Sequence, residues 1–306
     1  MANEIELTVP DALDGARLDK ALAVLLSVSR TLARDMLDGG VTVDGHPSKP
    51  GDRLRPGQVI ITPPPPDESA LEPEPVEFGI LYEDQSVAVV DKPAGLVVHP
   101  GSGNQQGTLA AGLLYRYPNL KGVGAPGRWG IVHRLDKDTS GVLMVALTQT
   151  SFETLAALLR DRTVSRRYTT LVDGILSAPT GTIDAPIGRD PSRPTRRAVV
   201  DGGKQARTHY EVARVFEGSN CSLLDVSLET GRTHQIRVHL AAIGHPVIGD
   251  RIYGSSQVKA VAPRIFLHAA QLKFPHPDKG ILIDVTSPLP DDLDQVLMDL
   301  GSIGTD

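Results

Sequence analysis

Residues 133–141 read HRLDKDTSG and run directly into 142–147, VLMVAL. The first nine carry two carboxylates, two cations, one imidazole and two hydroxyls, and Leu135 is their only apolar side chain. The apolar run that follows is typical of a fully buried strand. A cluster of charge therefore lies against the hydrophobic core, where an unpaired carboxylate is costly. We expect Asp136, with Arg134 beside it, to be held there for chemistry.

Two other interpretations of this stretch stay open. Residues 138–141, DTSG, can form a turn, since these side chains bond their own backbone and glycine accepts positive φ. Residues 136–139 also fit the D-x-D-x-T pattern of aspartyl-phosphate-forming hydrolases, in which a metal bridges the two carboxylates. That pattern should close an apolar strand, whereas polar residues precede Asp136. The acidic pair at 291–292 lies in a proline-containing tail, which is a poor place for a metal site.

Composition places the chain among globular proteins. It has 306 residues, of which 40% are hydrophobic and 22% charged, enough for two domains and a sizeable core. No run approaches the roughly 18 apolar residues of a membrane span, and the N-terminus lacks an apolar secretory segment. The single cysteine, Cys221, rules out an internal disulfide framework and is expected to pack in a strand. We therefore expect a cytoplasmic protein without a membrane partner.

Charge is distributed unevenly along the chain. The net charge is −6, yet residues 128–273 hold 20 Lys/Arg against 13 Asp/Glu. Residues 67–100 hold 1 against 8, and residues 274–306 hold 1 against 7. The electric field depends on where charge lies rather than on its total, so the middle segment can present a basic surface to phosphates. An ordinary solvated mixture of charges is the alternative.

A proline-rich stretch divides the chain. Residues 63–75 read PPPPDESALEPEP, and consecutive prolines favour an extended, semi-rigid spacer. We predict a small domain at 1–62, a linker at 63–76 and a larger domain at 77–306.

The small domain is predicted to hold two helices followed by two short strands. The helices span 17–26 and 31–37, the second capped by Ser29 and ended by Gly39–Gly40, and the strands are 41–43 and 59–62, with an Asp44–Gly45 turn between. This order resembles the S4 RNA-binding domain. The resemblance implies an RNA-binding face that includes Arg30 and Arg34. A purely structural appendage is the alternative.

The larger domain is predicted to be α+β with a mixed, largely antiparallel sheet and flanking helices, because strands outnumber helices and do not alternate strictly with them. The predicted strands are 86–91, 95–99, 141–147, 168–172, 209–216, 222–228 and 281–285, and the predicted helices are 152–160 and 291–300. The chain has no P-loop and no dinucleotide-binding fingerprint.

Several motifs in this domain occur in an order that resembles the RluA family of RNA pseudouridine synthases. They are HRLDKDTSG, RYTTLV at 167–172 and ETGRTHQIRVHLAAIG at 229–244, supported by VVHPGSGN at 97–104, HPVIGDRIYG at 245–254 and residues 264–277. The resemblance covers nearly the whole chain. It implies the pseudouridine synthase fold and the isomerisation of specific uridines of large-subunit (23S) ribosomal RNA, with ribosomal RNA or a ribosomal particle as partner.

The resemblance also implies roles for individual residues. Asp136 matches the family's invariant aspartate, Arg237 the arginine that pairs with it, and Tyr168 the tyrosine that stacks on uracil. Arg134 matches the residue that helps to displace the target base, since a stacked uracil must leave the helix to be reached. His133 is expected to orient the loop.

Two basic stretches, 160–167 and 189–207, are expected to contact the RNA backbone. They contain Arg166, Arg167, Arg196 and Arg197. The second stretch is expected to be a loop or ribbon that becomes ordered on binding.

We expect no metal and no cofactor, because His234 and His239 do not have the i,i+4 spacing of a helical metal pair. A monomer is expected. A non-enzymatic S4-type RNA-binding or ribosome-assembly factor is the alternative from another functional class.

Overall fold

A computed structural model of the chain describes residues 4–26, 28, 30–37, 40–65, 71–101, 104–124, 127–193, 195–254 and 262–302. The chain forms two compact units, Met1–Leu71 and Glu72–Asp306. The division point lies within the predicted linker at 63–76, and the exact domain bounds stay a prediction.

The first unit is a small antiparallel sheet with two helices. Its elements are β1 (Ile5–Thr8), α1 (Leu18–Leu25), α2 (Arg30–Leu37), β2 (Thr42–Val43), β3 (His46–Pro47) and β4 (Val59–Thr62), with strand order β1-β4-β2-β3. Leu18 and Leu22 of α1 are buried in its core. Asp44 and Gly45 both have positive φ, as the predicted two-residue hairpin turn requires. The predicted cap Ser29 and helix end Gly39 lie outside the described residues.

The second unit is an α+β structure around one large sheet. Its strands are β5 (Gly79–Glu83), β6 (Val87–Lys92), β7 (Ser140–Ala146), β8 (Ser165–Asp173), β9 (Thr180–Asp184), β10 (Ile187–Arg189), β11 (Arg197–Val199), β12 (Arg207–Phe216), β13 (Cys221–Leu228), β14 (Leu267–Pro275) and β15 (Leu282–Thr286). Its helices are α3 (Leu109–Arg116), α4 (Gln149–Arg160), α5 (Gln235–Ala242) and α6 (Asp291–Ser302).

Within the described residues, nine of these strands form the large sheet, in the order β5-β6-β7-β14-β8-β13-β12-β9, with β15 also paired to β14. All of its pairs are antiparallel except β7 with β14. The predicted mixed, largely antiparallel sheet is therefore confirmed. All seven residues of β7 are buried, as the apolar run VLMVAL indicated.

The prediction of a strand at 95–99 is wrong. Gly95 has φ +84 and its N–H donates to the carbonyl of Lys137, so the chain turns there. The carbonyls of Val97 and Val98 accept the N–H groups of the first two residues of α3. These two carbonyls, which in a strand would bond to a neighbouring strand, instead accept hydrogen bonds from the start of α3. The sequence did not predict α3.

The sheet forks where β7 meets β14. β14 pairs with β7 only at its start, through His268 with Ser140 and Ala269 with Gly141, and then pairs with β15. Gly141 has φ +110, and a Cβ built on it would lie 2.2 Å from the carbonyl oxygen of Ala269. The fork therefore requires glycine at 141, directly after the polar stretch 133–140.

Gly141→Ala should destabilise the protein by at least about 2 kcal/mol, because a residue at strained positive φ costs about 1–3 kcal/mol and the new methyl group also collides with backbone. Gly280→Ala is the matched control, since Gly280 has φ +65 with no atom within 4 Å of its Cβ position. Urea unfolding of both variants measures the difference. Equal losses of stability would show that the close approach at the fork is not a constraint.

Candidate active site

Asp136 lies in a turn that leads into β7. The N–H of Thr139 donates to the Asp136 carbonyl at 3.2 Å, and the strand begins at Ser140. The observed turn therefore lies at 136–139, two residues before the alternative turn at 138–141, whose last two residues belong to β7. The Asp136 side chain is 19% exposed and lines a cavity of about 560 Å³, a size that suits a nucleoside-sized ligand.

Arg237 of α5 contacts Asp136 from a position 101 residues later in the chain. Its Nη1 donates to Asp136 Oδ2 at 2.8 Å. Its Nε and Nη2 donate to the two carboxylate oxygens of Asp250, at 2.7 and 2.9 Å. One guanidinium is thus shared by two carboxylates, and the two-point contact with Asp250 fixes its plane.

Asp250 is a site residue that the sequence did not single out. Its side chain is fully buried, and its Oδ1 also accepts the N–H groups of Ile252 and Tyr253. It belongs to the HPVIGDRIYG motif at 245–254, but its pairing with Arg237 depends on how α5 packs against that loop. The motif therefore indicated that this segment matters, but it did not indicate that Asp250 pairs with Arg237.

The pKa values of Arg237 and Asp250 reflect the mutual stabilisation of opposite charges in a buried site. Burial alone lowers the pKa of Arg237, but the carboxylates of Asp250 and Asp136 raise it above its ordinary value. Burial works to raise the pKa of Asp250, yet the Arg237 guanidinium and two backbone N–H groups hold it below its ordinary value. Both groups are therefore charged at neutral pH.

Tyr168 of β8 lines the same cavity as Asp136 and is 7% exposed. Burial raises the pKa of its phenol, and the Asp136 charge adds to that shift, while Arg166 opposes it. The phenol is therefore protonated at neutral pH. Its ring supplies an apolar wall beside the carboxylate.

Arg134 is exposed and lines both this cavity and an adjoining one of about 420 Å³. Asp136 and Arg237 also line both cavities. The Asp136–Arg237 ion pair therefore lies between two cavities that are open to a ligand. The long cationic side chain of Arg134 lies where the two cavities meet.

Two histidines support the site. His133 Nε2 accepts the N–H of Met144 at 3.1 Å, and burial lowers its pKa to about 3, so it is neutral and orients the loop. His234, at the start of α5, has its Nε2 3.9 Å from Asp136 Oδ2 and its Nδ1 2.9 Å from the Tyr253 hydroxyl. Its closeness to Asp136 was not predicted. Burial lowers the pKa of His234, while the Asp136 charge counteracts that effect.

Arg166 and Arg167 point to opposite faces of β8, because side chains alternate along a strand. Arg166 lines the cavity together with Tyr168, two residues further on. Arg167 is exposed and lines a different, smaller recess with residues of β12 and β13. The structure thus brings only one of these two arginines to the Asp136 cavity.

The basic stretch 189–207 overlaps a short hairpin, in which β10 pairs with β11. Arg196 and Arg197 are partly exposed. The N–H of Arg197 donates to the Tyr253 hydroxyl, which also contacts His234. The hairpin is therefore linked to the site by one tyrosine.

The remaining predicted RNA-contacting residues belong to the first unit. Arg34 is exposed on α2, and Arg30 begins that helix, although its side chain lies outside the described part of the chain.

Arg264 fixes the turn after Asp136 to the C-terminal helix. Its Nη1 donates to the Asp138 carbonyl and its Nη2 to the Ser140 hydroxyl, at 3.3 and 3.2 Å. Its Nε and Nη2 donate to the carboxylate of Asp292 in the first turn of α6, at 2.6 and 3.0 Å. The position of the turn that carries Asp136 therefore depends in part on Asp292 of α6.

Lys92 holds the other side of the same turn. It is fully buried, and its Nζ donates to the carbonyls of Pro93, Leu96 and Lys137, each at 2.9 Å. Burial lowers the pKa of Lys92 to about 7, and the charges of Asp138 and Asp136 oppose that shift. Three carbonyls satisfy all three ammonium donors, so the lysine joins β6 to the backbone next to Asp136.

Among the described residues, no three His, Cys, Asp or Glu side chains come close enough together to hold a metal ion. The described helices include none with the length and apolar character needed to cross a membrane.

Comparison with known proteins places this geometry in a family. The sequence model of RNA pseudouridylate synthases matches residues 86–242, and that of the S4 domain matches residues 16–60. The chain belongs to the RNA pseudouridylate synthase family, and its activity is the isomerisation of uridine to pseudouridine in RNA.

Individual relatives extend over almost the full chain. The ribosomal large subunit pseudouridine synthase D of Nitrosomonas europaea is 47% identical over 98% of this chain and 89% of its own length. The protein of the same name from Pseudomonas aeruginosa is 44% identical over 93% of this chain and 92% of its own. An uncharacterised RNA pseudouridine synthase of Bacillus subtilis, YlyB, is 42% identical over 99% and 100%.

Solved structures agree with this placement. Human RNA pseudouridylate synthase domain containing 1 superposes with a TM-score of 0.58 at 27% identity, covering 75% of this chain and 96% of that one. Human RNA pseudouridylate synthase domain containing 4 gives 0.57 at 25% identity, covering 73% and 93%.

Proposed function

We propose that this enzyme isomerises specific uridines of large-subunit (23S) ribosomal RNA and that Asp136 carries the reaction. The observation that supports the role most directly is the position of Asp136. Its carboxylate faces a nucleoside-sized cavity, and a guanidinium oriented by Asp250 neutralises it at 2.8 Å. Two relatives named ribosomal large subunit pseudouridine synthase D, similar over nearly the whole chain, support the substrate.

The reaction breaks the C1′–N1 bond of uridine and joins C1′ to C5 of the same uracil. Asp136 faces the sugar, whose C1′ becomes oxocarbenium-like, and acts on it as nucleophile or as electrostatic and proton-transfer partner. Tyr168 stacks on the uracil, and Arg134 helps to displace the target base from the RNA helix. Arg237 pairs with the Asp136 carboxylate at 2.8 Å and orients it.

RNA contacts come from basic side chains around the cavity and on the S4 unit. Exposed arginines supply affinity and position through phosphates rather than sequence. The residues assigned to RNA binding as a whole are Arg30, Arg34, Arg134, Arg166, Arg167, Arg196 and Arg197, of which Arg134 acts at the target base and Arg166 is buried in the cavity rather than exposed to phosphates. The S4 unit at 1–62, joined by the linker at 63–76 to the catalytic domain at 77–306, delivers RNA to the site. The protein acts as a cytoplasmic monomer on ribosomal RNA or on a ribosomal particle, without metal or cofactor.

The test is pseudouridine mapping on 23S ribosomal RNA from a strain that lacks the enzyme. Purified protein is incubated with free ribosomal RNA and, separately, with the large subunit, and pseudouridines are located by chemical adducts that stop reverse transcription. We expect new pseudouridines at a small number of positions, in the presence of a chelator as well as in its absence. Binding without any new pseudouridine would instead support the non-enzymatic S4-type factor.

A further inference from the structure

Arg166 is a buried cation in the active-site cavity, and none of the carboxylates in the described part of the chain pairs with it. It is 8% exposed and lines the same cavity as Asp136 and Tyr168. Its Nη2 makes one long hydrogen bond, to the Leu228 carbonyl at 3.4 Å, and its Nε is buried without a partner among the described residues. Burial lowers the pKa of the guanidinium below its ordinary value.

This arrangement differs from that of the other arginines around the cavity. Arg237 is buried, but two carboxylates compensate its charge. Arg162 pairs with Glu229, and its side chain is 47% exposed. A buried guanidinium with unused donors is costly, since it has lost water without gaining an anion. The fold therefore keeps an uncompensated positive charge at Arg166, and an acceptor group of a bound ligand can compensate it.

The backbone makes room for this guanidinium. A Cβ added to Gly231 would lie 2.7 Å from Arg166 Nη1, closer than real contacts allow. Gly231 belongs to the loop before α5, which also lines the cavity. The close packing of that loop over Arg166 sets the guanidinium's position and keeps it from swinging out to solvent.

The burial of Arg166 within the cavity indicates which part of an RNA can reach it. The arginines that suit backbone phosphates are exposed at the surface, as Arg134, Arg160 and Arg162 are. Arg166 lies on the same face of β8 as Tyr168, whose ring is the proposed stacking surface for the base. A flipped uracil on that ring presents its carbonyl oxygens to the neighbouring cavity wall.

We propose that Arg166 donates hydrogen bonds to a carbonyl oxygen of the flipped uracil and stabilises the negative charge that this base acquires during the reaction. This inference rests on the proposed function. When the C1′–N1 bond breaks, its electron pair stays on the uracil, and the charge spreads from N1 to O2 and O4. The anion then forms the C5–C1′ bond, C5 loses its proton and N1 gains one, so that the product is an isomer. Donors placed in advance where charge develops act most strongly in a dry site.

The test compares Arg166→Met, Arg166→Lys and Gly231→Ala with Arg214→Met, which replaces an exposed arginine on β12. Single-turnover rates at saturating RNA are measured in the full chain, together with RNA affinity and melting temperature. We expect Arg166→Met to lower the rate about 10²- to 10³-fold, the usual effect of removing one such donor, while RNA affinity changes less than about threefold. Arg166→Lys should lose less, and Gly231→Ala should lose rate because it displaces the guanidinium while keeping its charge.

RNA that carries 5-fluorouridine at the target position separates charge stabilisation from structural effects. Fluorine withdraws electrons and stabilises the uracil anion, so consumption of this nucleoside should suffer at least tenfold less from Arg166→Met than turnover of uridine does. Equal losses on both nucleosides would overturn the proposal in favour of a structural role.

Two further outcomes would also overturn the proposal. One is weakened RNA affinity with an unchanged rate at saturation, which would make Arg166 a phosphate contact. The other is a rate unaffected in all three variants. The wild-type enzyme is measured first, so that failure to convert any uridine would count against the proposed function itself.

Discussion

Asp136→Asn should abolish pseudouridine formation, with a loss of about 10⁴-fold or more, comparable to the removal of a nucleophile in other enzymes. Asparagine keeps the shape of the side chain but has no charge to place against an oxocarbenium-like sugar. The fold should survive, because Arg237 keeps its two-point contact with the Asp250 carboxylate. RNA affinity should change only a few-fold, because the exposed arginines are untouched.

Asp138→Asn is the matched control, because Asp138 lies in the same turn and its side chain is exposed. It should retain activity close to that of the wild type. Both variants are assayed by tritium release from C5 of uridine in ribosomal RNA, with circular dichroism as the check on folding. Normal turnover by Asp136→Asn would remove this residue from the mechanism, whatever the control does.

Arg237→Met should have the largest effect on stability. It leaves Asp250 buried without a cation, and removal of one partner from a buried ion pair costs about 3–5 kcal/mol. Activity should also be lost, because Asp136 loses its neutralising partner. The deficit in stability should shrink as the pH falls from 7 towards 4. Unpaired Asp250 then takes up a proton in the folded variant, whereas in the wild type its lowered pKa keeps it ionised.

The double variant Arg237→Met, Asp250→Asn separates stability from catalysis. It removes the stranded charge, so part of the lost stability should return, while activity should stay absent. Urea unfolding at pH 7 and at pH 5 gives the stabilities, and the tritium assay gives the activities. A double variant that is no more stable than Arg237→Met would show that Asp250 does not depend on Arg237 for its charge.

Local patterns in the sequence predicted the parts of the fold that depend on neighbouring residues. The apolar run at 142–147 became a buried strand, and Cys221 became a packed residue of β13. The alternation of Arg166, Arg167 and Tyr168 could also have been used, since period two alone places the first and third on one face. The same rule places Arg166 and Arg167 on opposite faces, although both belong to one basic stretch of the sequence.

The parts of the fold and of the site that the sequence did not predict depend on contacts between distant segments. Residues 95–99 look like a strand by composition, but their backbone groups serve α3 and the turn at Lys137. No short sequence pattern indicates the role of Asp250, because its partner Arg237 lies on α5 and the packing of that helix depends on distant segments. The hydrogen bond from Arg264 to Asp292 joins the basic segment 128–273 to the acidic segment 274–306.

That connection has a consequence for how the enzyme becomes competent during its synthesis. The turn that carries Asp136 is anchored by Arg264, and Arg264 is itself held by Asp292 of the final helix. A growing chain can therefore complete the sheet before the last anchor of the turn at Asp136 is in place. A chain that ended before α6 would keep the Arg237 partner of Asp136 and the Lys92 anchor of the turn. It would lack the Asp292 carboxylate that holds Arg264, so the turn would be less firmly fixed until α6 has docked.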